Sequence, residues 1–178
     1  MSNQNQNQNQ NQNNIYIGID SSFTDTAIIG LQGGEVIFEE HITSKPTPKK
    51  NKSVKEEDDS YPRLAKYYDD VCNVLRKAHP LGRLVYYGIE VPMGIHAGAG
   101  AKADQAFTAC ILALANLQCN KIVKTFKPTE IKKFATGKGN AKKELMVKEV
   151  YRKWGFDTNN HNTADAYAIA RLTEARQL

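Results

Sequence analysis

The sequence predicts an α/β domain. Three apolar strand-like runs with brief connections open it, helices and strands alternate afterwards, and two strands end in a carboxylate. With 178 residues, 40% hydrophobic and 24% charged, the chain can bury one real core, which excludes a mainly disordered protein. The net charge of +5 favours an acidic partner, nucleic acid first. No apolar run reaches spanning length and the polar N-terminus is no secretory leader, so a cytoplasmic protein without a membrane segment is expected. Cys72, Cys110 and Cys119 form no CxxC, which argues against structural zinc. Cys72 and Cys110 fall in apolar helical patterns and are expected in the core.

Residues 1–14 are a Gln/Asn repeat with nothing apolar to bury, expected to be a disordered tail; the domain is expected over 15–178. Ile15–Asp20 is β-branched and apolar, a buried strand ending in Asp20 and two hydroxyl residues. Thr24–Leu31 and Glu35–Ile42, joined by Gly33-Gly34, complete an antiparallel meander. Ser44–Asp59 combines prolines, lysines and an acidic run without apolar period and reads as a surface loop. Tyr61–Ala78 repeats Leu64, Tyr68, Val71 and Leu75 at helical spacing and stops at His79-Pro80. Leu84–Glu90 is a second buried strand ending in an acid.

Val91–Ala101 is too rich in glycine for a helix and forms a loop beside Glu90, where Met93, Ile95 or His96 could wedge against a base or a partner. Ala103–Gln118 is a helix apolar on most sides, expected in the core or at a dimer interface. Lys121–Phe126 alternates Lys with apolar residues, the pattern of a strand near an edge. It opens a basic stretch in which Gly137-Lys138-Gly139-Asn140 forms a turn before a helix starting near Ala141. Amide groups at a helix start, flanked by lysines, suit phosphate. The last helix carries His161, Asn162 and Asp165 in its first turn, with Tyr167, Ile169 and Leu172 as packing positions.

Each acid taken alone has a plain explanation. Asp20 could cap a turn, and Asp165 could complement a helix dipole. Together, Asp20, Glu90 and Asp165 are hard oxygen donors suited to Mg²⁺ or Mn²⁺. Clustered carboxylates repel one another, and a pair of ions relieves that repulsion while serving phosphodiester hydrolysis. A glycosidase also uses two carboxylates but leaves the lysines unexplained. No Ser/His/Asp or Cys/His arrangement is evident.

The ordered motifs resemble the RuvC Holliday-junction resolvases of the RNase H-like (retroviral integrase) superfamily. They are Ile17-Gly18-Ile19-Asp20-Ser21-Ser22, Tyr87-Gly88-Ile89-Glu90, Pro128–Lys132 with Gly137–Lys143, and Ala164–Ala170, spread over Ile15 to Leu172. The resemblance implies an RNase H-like fold, a five-stranded mixed sheet flanked by helices with the first three strands antiparallel. It implies a homodimer that cuts four-way DNA junctions in pairs with Mg²⁺, for which Mn²⁺ can substitute, at two ions per site. Asp20, Glu90 and Asp165 take the places of metal ligands. Asn162, or His161 beside it, stands where relatives carry Asp or His. Lys132, Lys138 and Lys143 fall on the DNA side, and Met93 lies in the segment that probes the junction centre, without the aromatic of the bacterial pattern. These departures resemble a phage-type member, acting in a prokaryotic nucleoid or a phage-infected cell. The alternatives are a nuclease for flaps, forks and other branched DNA, and a junction-binding protein with a weakened site.

Overall fold

The computed structural model describes residues 14–22, 24–44, 60–77, 84–91, 106–113, 115 and 123–177. Its strands are β1 (Ile15–Ser21), β2 (Asp25–Gln32), β3 (Glu35–Thr43), β4 (Val85–Glu90) and β5 (Val123–Phe126). The helices are α1 (Ser60–Lys77), α2 (residues 106–113), α3 (Pro128–Thr136), α4 (Lys143–Trp154) and α5 (His161–Ala175). The five strands form one mixed sheet in the order β3-β2-β1-β4-β5. β1, β2 and β3 are antiparallel neighbours, while β4 and β5 run parallel to β1. The meander and the edge position expected for the last strand are both present.

Alternation along the strands separates two cores. Ile15, Ile17 and Ile19 of β1, with Val85, Tyr87 and Ile89 of β4, pack against Tyr67, Val71 and Leu75 of α1 and Phe107 and Ile111 of α2. The opposite face, carrying Tyr16, Ala27, Ile29 and Leu31, packs against α3, α4 and α5. α5 lies at the centre of that second core, buried on most sides from Thr163 to Thr173, with Tyr167, Ile169 and Leu172 packed as expected. Phe156 stacks on Tyr167 with ring centroids 4.2 Å apart, and Trp154 tilts against the same ring at 5.8 Å. The end of α4 thereby clamps α5 onto the sheet.

Gly18 and Gly88, partners across β1 and β4, let α5 approach the sheet. A Cβ on Gly18 would overlap the backbone of Ala166 and Ala170, and one on Gly88 would overlap the side chains of Thr173 and Ile169. The β2–β3 turn is Gly33-Gly34, with φ of 58° and 87°, the left-handed pair a two-residue hairpin needs. Arg171 of α5 ties this turn down by donating to the Gly34 carbonyl at 2.6 Å.

Several expectations change. α3 was not foreseen: Pro128 opens it, and the Glu130 carboxylate accepts from the Lys127 N–H at 3.0 Å. Proline in the first turn with an acid two positions later is a start signal that the surrounding lysines obscured. Gly137, at φ 78°, therefore caps the C-terminus of α3, and α4 begins at Lys143 rather than near Ala141. Cys72 is buried, but Cys110 is exposed, because α2 buries Phe107, Thr108 and Ile111 and turns Ala106, Ala109, Cys110 and Ala113 outward. Ser44, expected in the surface loop, is buried and accepts from Arg63 at 2.7 Å. Asn14, placed in the tail by composition, is buried beside Tyr16. The rest of the Gln/Asn tail, most of the 44–59 loop, His79, Met93 with its loop, Cys119 and the outer turns of the 103–118 helix lie outside the described residues. Among the described residues no helix is long and apolar enough to cross a membrane.

Gly18→Ala should lower stability by about 3 kcal/mol or more, because backbone atoms cannot move aside. Gly88→Ala should cost about 1–3 kcal/mol, since side chains can shift. Urea unfolding measures both; an unchanged midpoint for Gly18→Ala would mean that α5 is not seated on this glycine.

Candidate metal centre and nucleic-acid interface

Two strand ends and one helix start meet on the α5 face of the sheet. β1 and β4 are parallel, with Gly18 beside Gly88 and Ile19 beside Ile89. Asp20 and Glu90 are the next residue on each strand, so the register sets them side by side. Strand alternation puts both on the same face as Gly18 and Gly88. Asp165 immediately precedes Ala166, whose carbonyl oxygen lies over Gly18. The glycine pair that seats α5 therefore also brings its carboxylate to the strand ends.

The electrostatics record this convergence. Burial pushes the Asp20 carboxyl well above the usual carboxylate range; the charges of Glu90, Asp165 and Asp25 push the same way, and Lys143 opposes them. Burial raises Glu90 to about 7, with Asp165 adding to the shift and Lys132 opposing it. Burial raises Asp165 to about 6 against the pull of Lys132 and Lys143. Lys132 is half-buried on α3, and Lys143 is the exposed first residue of α4. The unforeseen helix α3 is thus what aims Lys132 at the acids. Lys138 is exposed in the α3–α4 connection, where its N–H donates to Thr136 Oγ1 at 3.1 Å.

At neutral pH the carboxyl of Glu90 is near half-protonation, so the cluster cannot hold its full negative charge by itself. Among the described residues, Asp165 Oδ1 is buried without a hydrogen-bond partner. An unpaired buried carboxylate oxygen is costly, and a hard divalent cation is the species that would satisfy it. Among the described residues no three His, Cys, Asp or Glu side chains stand together as a ready-made ligand cluster. The fit to a cation therefore rests on the all-oxygen donor set, its mutual electrostatic reach and the orphaned oxygen of Asp165.

His161 and Asn162 are both half-buried in the first turn of α5. Asn160, not singled out from the sequence, caps this helix: its Oδ1 accepts from the N–H of Asn162 at 2.9 Å and of Thr163 at 3.4 Å. Asparagine just before a helix is a readable cap signal. Asp25 and His41 were also passed over. Asp25 lies within the expected Thr24–Leu31 strand, and His41 is connected to the site through strand register: Asp20 pairs with Ala27, and Ala27 with His41.

No protein-family model matches the chain. The crossover junction endodeoxyribonuclease RuvC of Salinibacter ruber is 29% identical over 162 residues, spanning 88% of this chain and 82% of that protein. The structure of RuvC from Thermus thermophilus superposes with a TM-score of 0.63 at 19% identity, covering 92% of this chain and 96% of the other. The Thermus protein in complex with a Holliday junction substrate matches equally, with a TM-score of 0.63 and 92% of this chain covered. The chain is similar to RuvC in sequence and shares its fold. Its fold is RNase H-like, with the first three strands antiparallel as the motifs implied. The likeness spans most of both chains, so the domain is matched as a whole rather than through one short motif.

The raised carboxylates give a pH dependence of stability with a definite sign. The folded protein retains protons on Glu90 and Asp165 where the unfolded chain has lost them. Metal-free stability should therefore fall as pH rises from about 4 to about 7 through this pair. Mg²⁺ should raise the melting temperature more at pH 7.5 than at pH 5, and Glu90→Gln should raise it at pH 7.5 without metal. Differential scanning fluorimetry across that range checks the trend; metal-free stability that climbs from pH 4.5 to 7 would contradict the buried acid cluster.

Proposed function

We propose that this RuvC-type chain is a metal-dependent crossover junction endodeoxyribonuclease that resolves four-way DNA junctions. The observation that carries the reading is the mutual electrostatic reach of Asp20, Glu90 and Asp165, opposed by Lys132 and Lys143. It is supported by full-length likeness to proteins of that activity.

In this reading Asp20, Glu90 and Asp165 hold the metal, with Asn162 or His161 completing the set. Two divalent ions, Mg²⁺ or Mn²⁺, would when bound activate a water for attack at phosphorus and stabilise the leaving 3′ oxygen. The chain supplies the rest. Lys132 and Lys143 flank the acids and would draw in the phosphates on either side of the cleaved bond. Lys138 would extend that track along the α3–α4 connection, and Met93 would lie at the junction centre. The scaffold holds the acids before DNA arrives, so little reorganisation is needed when the phosphodiester is positioned. A homodimer would present two such sites to opposite strands, giving paired cuts.

Asn162 favours one second reading. An amide can offer an oxygen to a cation but carries no charge. A site with Asn162 in the fourth position could bind branched DNA and cut it poorly. A labelled four-way junction, with fork, flap and linear duplex alongside, separates these outcomes in Mg²⁺ and in EDTA. Paired Mg²⁺-dependent cuts in the junction alone are expected. Cuts in forks and flaps at equal rates would indicate a broader branched-DNA nuclease, and binding without cuts a junction-binding module.

Asp20→Asn should abolish cleavage, by roughly 10³-fold or more, while junction binding survives. Lys143→Ala should weaken junction affinity and reduce the slope of log affinity against log salt by about one. An unchanged slope would remove Lys143 from the DNA surface.

A further inference from the structure

On the α5 face, one line crosses four strands. Glu90 neighbours Asp20 by register, Asp20 pairs with Ala27, and Ala27 pairs with His41 of β3. Across two strand spacings His41 stands roughly 10 Å from Asp20. Ala27 carries only a methyl group, so nothing bulky separates them on that line. His41 Nε2 lies 2.6 Å from Asp25 Oδ1, and Asn160 Nδ2 lies 3.4 Å from each ring nitrogen of His41. Asn160 Oδ1 in turn accepts from the first-turn amides of Asn162 and Thr163.

The direction of these bonds follows from the groups themselves. The Asp25 carboxylate can only accept, so Nε2 of His41 donates to it. The Asn160 NH₂ group lies 3.4 Å from both ring nitrogens and so rests against the face of the His41 ring, while its oxygen is held by the open end of α5. Two polar residues on β2 and β3 thus decide which way the cap of α5 faces. That cap sits two residues from Asn162 and five from Asp165.

We propose that Asp25 and His41 form a positioning pair that orients the Asn160 cap and so holds the first turn of α5 in register with the carboxylates of β1 and β4. The pair touches neither the proposed metal nor the phosphate. It acts through Asn160, and Asp25 is the link that keeps the His41 ring from rotating. The consequence for cleavage rests on the function proposed above; the positioning does not.

Two readouts test this on the full chain. The first is hydrogen exchange at the Asn162 and Thr163 amides, which needs no activity. His41→Ala should speed exchange there by about tenfold, near the usual worth of a helix cap. His41→Gln should restore it, because a glutamine can donate to Asp25 through its nitrogen and accept from Asn160 through its oxygen. The second readout is the Mg²⁺ concentration giving half-maximal junction cleavage. It should rise several-fold in His41→Ala with junction affinity within about twofold, and return with His41→Gln. Asn160→Ser keeps a capping oxygen but loses the amide that meets His41. It should shift the Mg²⁺ requirement as His41→Ala does, and adding His41→Ala to it should do nothing more.

Unchanged exchange in His41→Ala, or failure of His41→Gln to restore it, overturns the proposal. Additive effects of His41→Ala and Asn160→Ser overturn it as well, since His41 would then act by another route. A wild-type protein that cuts no junction would sink the functional reading alone, while the exchange data still decide the positioning.

Discussion

The seat of α5 on Gly18 and Gly88 is the contact on which the rest of this structure depends. The two glycines are partners on adjacent parallel strands, and each leaves the space that α5 fills. Atoms of Ala166, Ala170 and Thr173 occupy the room that a Cβ on either glycine would take. The close approach does more than tighten the core. It sets the height of α5 above the strand ends, and so the distance at which Asp165 meets Asp20 and Glu90. Polar residues at the mouth can be electrostatically strained because the packing beneath them does not give.

That strain has a plain origin. Three carboxylates are drawn into a partly desolvated corner, where burial is the largest cause of every upward shift and mutual repulsion adds to two of them. Lys132 and Lys143 offset part of the repulsion from one side. They arrive on separate helices, α3 and α4, which pack on α5 through Ile131, Met146, Val150 and the Trp154–Phe156–Tyr167 cluster. The core that covers α5 therefore also places the cations. The opposite core, under α1 and α2, supports the strands from behind: the Tyr67 hydroxyl donates to the Ser22 carbonyl at 3.1 Å and shares a hydrogen bond with the Thr26 hydroxyl at 2.7 Å, pinning the turn after Asp20.

The far edge of the sheet contributes as well. β3 is mostly exposed, and its bulge at Gly30/Leu31 lets the Phe38 ring lie over Gly30. Arg171 bonds the β2–β3 turn to α5 at one end, and His41 meets Asn160 at the other. α5 is thus fastened to the outer hairpin at both of its ends and to the central strands in the middle. Such attachment suits an element that must present a carboxylate without drifting under its neighbours' repulsion.

Much of this was legible in the chain. Alternating apolar runs identified the strands, short connections identified the antiparallel meander, and strand-terminal Asp20 and Glu90 with helical Asp165 marked the candidate site, because local period and hydropathy are encoded residue by residue. α3 was legible in principle through Pro128 and Glu130 but was masked by charge. Cys110 shows the limit of composition: an apolar helix does not say which side faces the core, and here the alanines and Cys110 turn outward. Only the tertiary structure could bring Asp25, His41 and Asn160 together, since their meeting depends on strand register and on where α5 lands. The sequence by itself determined the elements and the chemical types at their ends; which of those ends share one volume was decided by the packing of α5 on two glycines.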